Sequence, residues 1–200
     1  TIEPIIAAAG TDITAPAAPT REGYTFEGWY SDVTLQTKVE TLPTSMPDSS
    51  ITYYAKWTPV EYTITYNGVE GLSVSNPATY TIETPDFTLT NPTKPGYAFK
   101  GWQVGDESTV AETVTIQKGT TGNKTFTAIF EQETYAITYV ECAEGAKTYK
   151  MGDAVTLSVP ADRKGYTFMG WTLNIDGRTM VQDKSETTLP THLYGDMTVT

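Results

Sequence analysis

Apolar and polar residues alternate with a period of two through several short stretches of this chain, which is the pattern of half-buried strands. Tyr62, Ile64 and Tyr66 share one face of an extended segment and Thr63 and Thr65 the other; Tyr135-Ala-Ile-Thr-Tyr139 repeats the arrangement. Tyr53, Ala55 and Trp57 make a large-small-large face with Lys56 opposite, and Phe126, Ala128 and Phe130 make another. Shorter strands are predicted around Ile13, at Phe87–Leu89, at Thr113–Ile116 and over Val155, Leu157 and Val159. Asp176-Gly177, between Leu173–Ile175 and Arg178–Met180, predicts a hairpin, and Asn67-Gly68 a change of direction. Pro19 to Gly23 predicts one helical turn at most, and Asp32 to Pro47 reads as polar and irregular.

One heptapeptide, Gly-Tyr-x-Phe-x-Gly-Trp, orders all of this. It occurs as Gly23, Tyr24, Phe26, Gly28, Trp29; as Gly96, Tyr97, Phe99, Gly101, Trp102; and as Gly165, Tyr166, Phe168, Gly170, Trp171. The copies lie about 70 residues apart, the size of a small domain and too long for a solenoid repeat. Three modules are expected, at 1–57, 61–130 and 134–200. Tyrosine and phenylalanine, two apart, face the same way, whereas strict alternation puts the tryptophan on the opposite face. A bulge at the glycine before it restores the indole to the Tyr/Phe side, and that is the expected conformation. The nine aromatic residues are expected in the cores, because modules this small need large apolar burials.

Thr58–Glu61 and Glu131–Thr134 join the modules, and each opening tyrosine stands five residues after the preceding closing aromatic. Linkers so short and of equal length predict fixed joints and an elongated array. The first module is expected to be truncated at its N-terminus, because the chain begins inside a strand-like pattern. The third stops before the alanine and terminal aromatic of its neighbours, which points to a fragment of something longer.

With these elements placed, the sequence resembles the Listeria-Bacteroides repeat, the B-repeat module of internalin B. The likeness rests on the threefold heptapeptide, on Ala55 and Trp57 near the close of the first module with Ala128 and Phe130 in the second, and on Tyr-Thr-Ile-Thr-Tyr66. It covers nearly the whole chain. It implies a mainly β, small α+β fold: three tandem β-grasp-like modules on a long surface protein of a bacterial cell wall. It brings no catalytic, cofactor or metal residues. Phe130 in place of tryptophan, and enlarged inserts in the second and third modules, depart from the pattern and suggest elaborated loops.

Charge narrows the partners. Thirteen Lys and Arg against 24 Asp and Glu give a net charge of −11, which repels nucleic acid phosphates and anionic headgroups. No apolar run is long enough to insert in a membrane. Cys142 is the single cysteine and His192 the single histidine, so neither a disulfide framework nor a Ser-His-Asp or histidine metal cluster can be assembled in one chain. Cys142 reads as a small buried or half-buried thiol and His192 as a solvated loop residue. Gly119-Thr-Thr-Gly122-Asn-Lys124-Thr125 imitates a phosphate loop, but its glycines are too close together and its lysine leads into a strand. No Asp-x-Asp-x-Asp-Gly calcium loop is present. Leu42-Pro-Thr44 and Leu189-Pro-Thr191 lack the rest of a wall-sorting signal. The expected function is therefore a non-catalytic, extracellular spacer or stalk, monomeric within a longer chain and without cofactor. The alternative is an adhesin in which segments such as Ser73–Thr84 or Thr172–Lys184 hold a glycan or host protein.

Overall fold

The computed structural model describes residues 2–106 and 108–200, and among them the regular structure is all strand. The first repeat contributes β1 (Tyr24–Tyr30) and β2 (Tyr54–Pro59). The second contributes β3 (Tyr62–Asn67), β4 (Thr79–Tyr80), β5 (Phe87–Thr88), β6 (Tyr97–Val104), β7 (Val110–Ala111), β8 (Thr115–Ile116) and β9 (Lys124–Gln132). The third contributes β10 (Tyr135–Tyr139), β11 (Thr148–Tyr149), β12 (Gly170–Ile175), β13 (Arg178–Asp183) and β14 (Met197–Val199). Two compact units gather these strands. One consists of Thr1–Thr65, Pro77–Thr88 and Thr115–Lys124, the other of Tyr66–Asn76, Leu89–Val114 and Thr125–Thr200.

In the first unit β1 and β2 pair antiparallel, with Phe26 opposite Trp57 and Trp29 opposite Ala55. The register slips between Phe26 and Gly28, where Gly28 takes a φ of 127° that side chains with a Cβ rarely adopt. This extra residue changes the parity, so Trp29 lies edge-on to Phe26 with ring centroids 5.3 Å apart, and Trp57 lies at the same distance from Phe26. β3 pairs with β4, placing Tyr62 opposite a buried Tyr80, whose hydroxyl donates to the Gly122 carbonyl. β5 pairs with β8.

The polar stretch after β1 is irregular yet ordered by one side chain. The Asp32 carboxylate accepts from the Thr34 hydroxyl and from the backbone N–H groups of Thr37, at 2.7 Å, and Gln36, at 3.2 Å. These donors favour the ionised form and hold its pKa down at about 2. The folded-state value lies below the ordinary one, so the contribution to stability is complete above pH ~4 and is lost as pH falls through about 2. An NMR titration of the Asp32 carboxyl is expected to give a midpoint near 2, and a midpoint near the free value would show that the turn is not formed.

In the second unit β6 lies between β9 and β7, so Trp102 stands opposite both Ala128 and Ala111. The register slip recurs between Phe99 and Gly101. Trp102 is fully buried, its indole N–H donates to Asn91 Oδ1 at 3.0 Å, and the rings of Tyr66, Phe99 and Phe126 surround it. The third repeat forms a five-stranded sheet in the order β11-β10-β14-β12-β13. β10 and β14 run parallel, with Ile137 opposite Met197 and Tyr139 opposite Val199; the other pairs are antiparallel. Asp176 and Gly177, at φ 49° and 78°, close the β12–β13 hairpin in the left-handed conformation that a two-residue turn needs. Its core joins Ile137, Tyr149, Leu157, Trp171, Leu173 and Val199, with further apolar residues around them.

Several expectations change. The Pro19–Gly23 segment is a β-turn closed by the Tyr24 N–H on the Arg21 carbonyl, since so short a segment holding both Pro and Gly cannot nucleate a helix. The strand at Ile13 shrinks to a single bridge between Asp12 and Ser45. Val155 and Leu157 are buried without forming a strand, and Val159 is exposed. The third heptapeptide is extended only from Gly170. Its counterpart of β2 and β9 is β14, in which Val199 stands opposite Leu173. Thr172–Lys184 is mostly the β12–β13 hairpin, not a loop.

Candidate functional site at the repeat joints

The signature residues divide into two sets with different surroundings. Each phenylalanine packs on its tryptophan: Phe26 on Trp29, Phe99 on Trp102 at 5.6 Å, and Phe168 on Trp171 at 4.9 Å. Among the closing residues, Trp57 and Phe130 meet Phe26 and Phe99, while Ala55 and Ala128 stand opposite Trp29 and Trp102. The tyrosines are not core. Tyr24 and Tyr97 are half-buried and Tyr166 is 71% exposed. Each lies under a cation three residues before it, across the glycine turn: Arg21 over Tyr24 at 3.7 Å, Lys94 over Tyr97 at 4.2 Å and Arg163 over Tyr166 at 4.5 Å. An amphipathic ring with an aliphatic stem and a charge above it suits a partly wet position.

The first glycine of the first and second heptapeptides is where each meets a side chain of the following repeat. Gly23, at φ 73°, presents a bare backbone to Ile82, whose Cδ1 would stand 2.6 Å from any Cβ added there. Gly96, at φ 76°, does the same toward Met151, with its Sδ 2.8 Å away. Ile82 stands fourteen residues before Gly96, and Met151 fourteen before Gly165, so both contacts join one repeat to the same position of the next. The linkers are tied in as well. The Val60 N–H donates to the Gly23 carbonyl and the Glu133 N–H to the Gly96 carbonyl, both at 2.9 Å.

Side chains complete each joint. Tyr24 donates to Glu83 Oε1 at 2.8 Å, which raises the pKa of its phenol, and Thr121 donates to Glu22 at 3.3 Å. At the second joint Gln132 Nε2 donates to the Met151 carbonyl at 2.6 Å. Around Gly165 no heavy atom lies within 4 Å of the Cβ position. Sequence reading did not find Ile82 or Met151. Their equal distance before the next heptapeptide was the available signal.

The remaining candidates carry no comparable arrangement. Cys142 is half-buried with its thiol toward the Val199 carbonyl at 3.3 Å, and His192 is exposed. No helix of the described residues is long and apolar enough to cross a membrane.

Three signature segments and two like joints mark one repeated unit. The sequence profile of the Listeria-Bacteroides repeat domain matches residues 3–56, 62–129 and 135–196. The chain belongs to the Listeria-Bacteroides repeat family. These repeats are 42% identical over 92 residues to internalin H of Listeria monocytogenes, a match covering 45% of this chain and 16% of that protein. Two proteins of Evansella cellulosilytica also match. One, described as a Gly-rich membrane protein, is 31% identical over 173 residues, covering 81% of this chain and 19% of that one. The other, described as a membrane protein, is 32% identical over 183 residues, covering 84% and 26%. The Listeria-Bacteroides repeats here thus span about a quarter or less of the length of these relatives. No solved structure matches.

Proposed function

We propose that these repeats are a non-catalytic spacer in the extracellular part of a bacterial surface protein, built of three tandem β-grasp-like modules at 1–57, 61–130 and 134–200. The observation that carries this reading is the recurrence of one joint. In both places a bare glycine receives an aliphatic side chain of the next repeat, and a linker N–H is anchored on that glycine's carbonyl. A joint held by backbone and packing at once transmits orientation, which a stalk requires and a flexible tether does not. The descriptions of the relatives as an internalin and as membrane proteins agree with a place at the cell surface. A net charge of −11 disfavours nucleic acid and anionic lipid as partners.

Small-angle scattering at physiological salt tests the reading. Three compact modules in line give a maximum dimension of at least about 85 Å, whereas one globule of this length gives about 43 Å. The first result is expected. Replacing Ile82 and Met151 together by aspartate places a charge against each glycine and is expected to broaden the distribution of interatomic distances while the far-UV circular dichroism is kept. A value near the single-globule figure would end the spacer reading. Specific retention on a glycan array, lost when one exposed loop is replaced, would favour the adhesin instead.

A further inference from the structure

The Asn67-Gly68 pair at the end of β3 has no part in the joints or in the signature. An asparagine followed by glycine is the pairing in which a backbone nitrogen most readily attacks the preceding side-chain carbonyl, because glycine has no side chain to shield that nitrogen and restricts the chain least. The other four asparagines lack this feature. Asn76 and Asn91 precede prolines, which have no N–H. Asn123 and Asn174 precede Lys124 and Ile175, whose side chains stand beside the nitrogen.

The surroundings of this pair favour the reaction. Asn67 and Gly68 are both exposed, and Gly68, at φ 74°, has already left the strand. Its N–H donates to Glu70 Oε1 at 3.3 Å, so a carboxylate stands on the one proton that must leave before the nitrogen can attack. The side-chain nitrogen of Asn67, which is the leaving group, meets the Thr127 hydroxyl at 3.5 Å, too long a contact to hold it firmly. On the other side of the turn, a Cβ added to Gly68 would stand 2.9 Å from the Ala128 carbonyl oxygen, so the backbone there is already pressed against β9.

We propose that Asn67 is a self-modification site, converted through a cyclic imide to aspartate and isoaspartate with Glu70 as the base. The Gly68 N–H proton passes to the Glu70 carboxylate as the nitrogen bonds to Asn67 Cγ. The Cγ–Nδ2 bond then breaks, and the amide nitrogen leaves as ammonia, taking that proton with it. Water, the only co-reactant, opens the imide. Breaking the new bond to Cγ gives aspartate; breaking the original peptide bond gives isoaspartate, whose main chain runs through the former side chain. Either product sets a second negative charge near Glu70. Isoaspartate also inserts the former Cβ into the main chain, beside a glycine that has no room to move toward Ala128. The second repeat thus carries an irreversible mark of age at the turn after β3.

The test incubates the 200-residue chain at neutral pH and physiological temperature beside a synthetic peptide of residues 62–72, which serves as the clock. Peptide mapping by mass spectrometry and enzymatic methylation of isoaspartate follow the products. Aspartate and isoaspartate are expected to accumulate at position 67 of the folded chain while Asn76, Asn91, Asn123 and Asn174 stay intact. Glu70→Gln keeps an acceptor beside the Gly68 N–H but removes its basicity, and is expected to slow the reaction at least about tenfold. Glu70 is exposed, so that variant folds, and circular dichroism verifies it. The isoaspartate form, separated by ion exchange, is expected to melt below the unmodified chain. An Asn67 still intact in the folded chain after the peptide has converted overturns the proposal. So does faster conversion at another asparagine, a rate indifferent to Glu70→Gln, or an isoaspartate form as stable as its parent.

Discussion

Replacing Trp102 by alanine is expected to lower the unfolding free energy by roughly 3–5 kcal/mol, the range for emptying a buried aromatic site. The indole has no exposed surface, three rings line its sides, and its N–H satisfies Asn91. Truncation therefore leaves a cavity, and the strand pairs on either side prevent the site from collapsing. Trp29 provides the internal comparison. It occupies the same signature position but is only half-buried, so Trp29→Ala is expected to cost distinctly less. Denaturant unfolding of the two variants measures the difference. Equal losses would contradict the assignment of Trp102 as the centre of its core.

The second large effect is expected at Gly101. A Cβ there would stand 2.7 Å from the backbone carbon and oxygen of Ala111 and from Val110 Cγ1, and the residue sits at φ 135°. Backbone strain of about 1–3 kcal/mol and overpacking of about 1–3 kcal/mol act together, so Gly101→Ala is expected to cost roughly 2–6 kcal/mol and to displace β7 from β6. Gly105 separates the two contributions. Its φ of 56° is also left-handed, but nothing lies within 4 Å of its Cβ position, so Gly105→Ala is expected to cost only about 1–2 kcal/mol. Comparable effects at the two positions would show that conformation alone, and not the close approach of β7, requires Gly101.

The bulge at the glycine before the tryptophan in the first two repeats was readable in advance for a local reason. Three residues separate phenylalanine from tryptophan, the strand period is two, and a bulge is the economical way to bring both rings to one side. The Asp176-Gly177 hairpin was readable in the same way, since its turn is specified by two adjacent residues. The first glycine of the heptapeptide was not. Its neighbour is Ile82 or Met151, more than fifty residues away, and nothing adjacent to Gly23 or Gly96 announces that partner.

The amino-acid sequence by itself determined the threefold repeat, its family, the alternating strands and the bulges of the first two repeats. Each of these follows from residue type at short spacing. Only the tertiary structure decided which aromatics are core, because burial depends on whether strands flank them on both sides. β9 runs the whole length of β6 and, with β7 on the other side, encloses Trp102, whereas Tyr97 on the same strand stays half-buried. The joints belong to that second class as well: each is made by segments more than fifty residues apart in the chain, and its geometry exists only once those segments have packed.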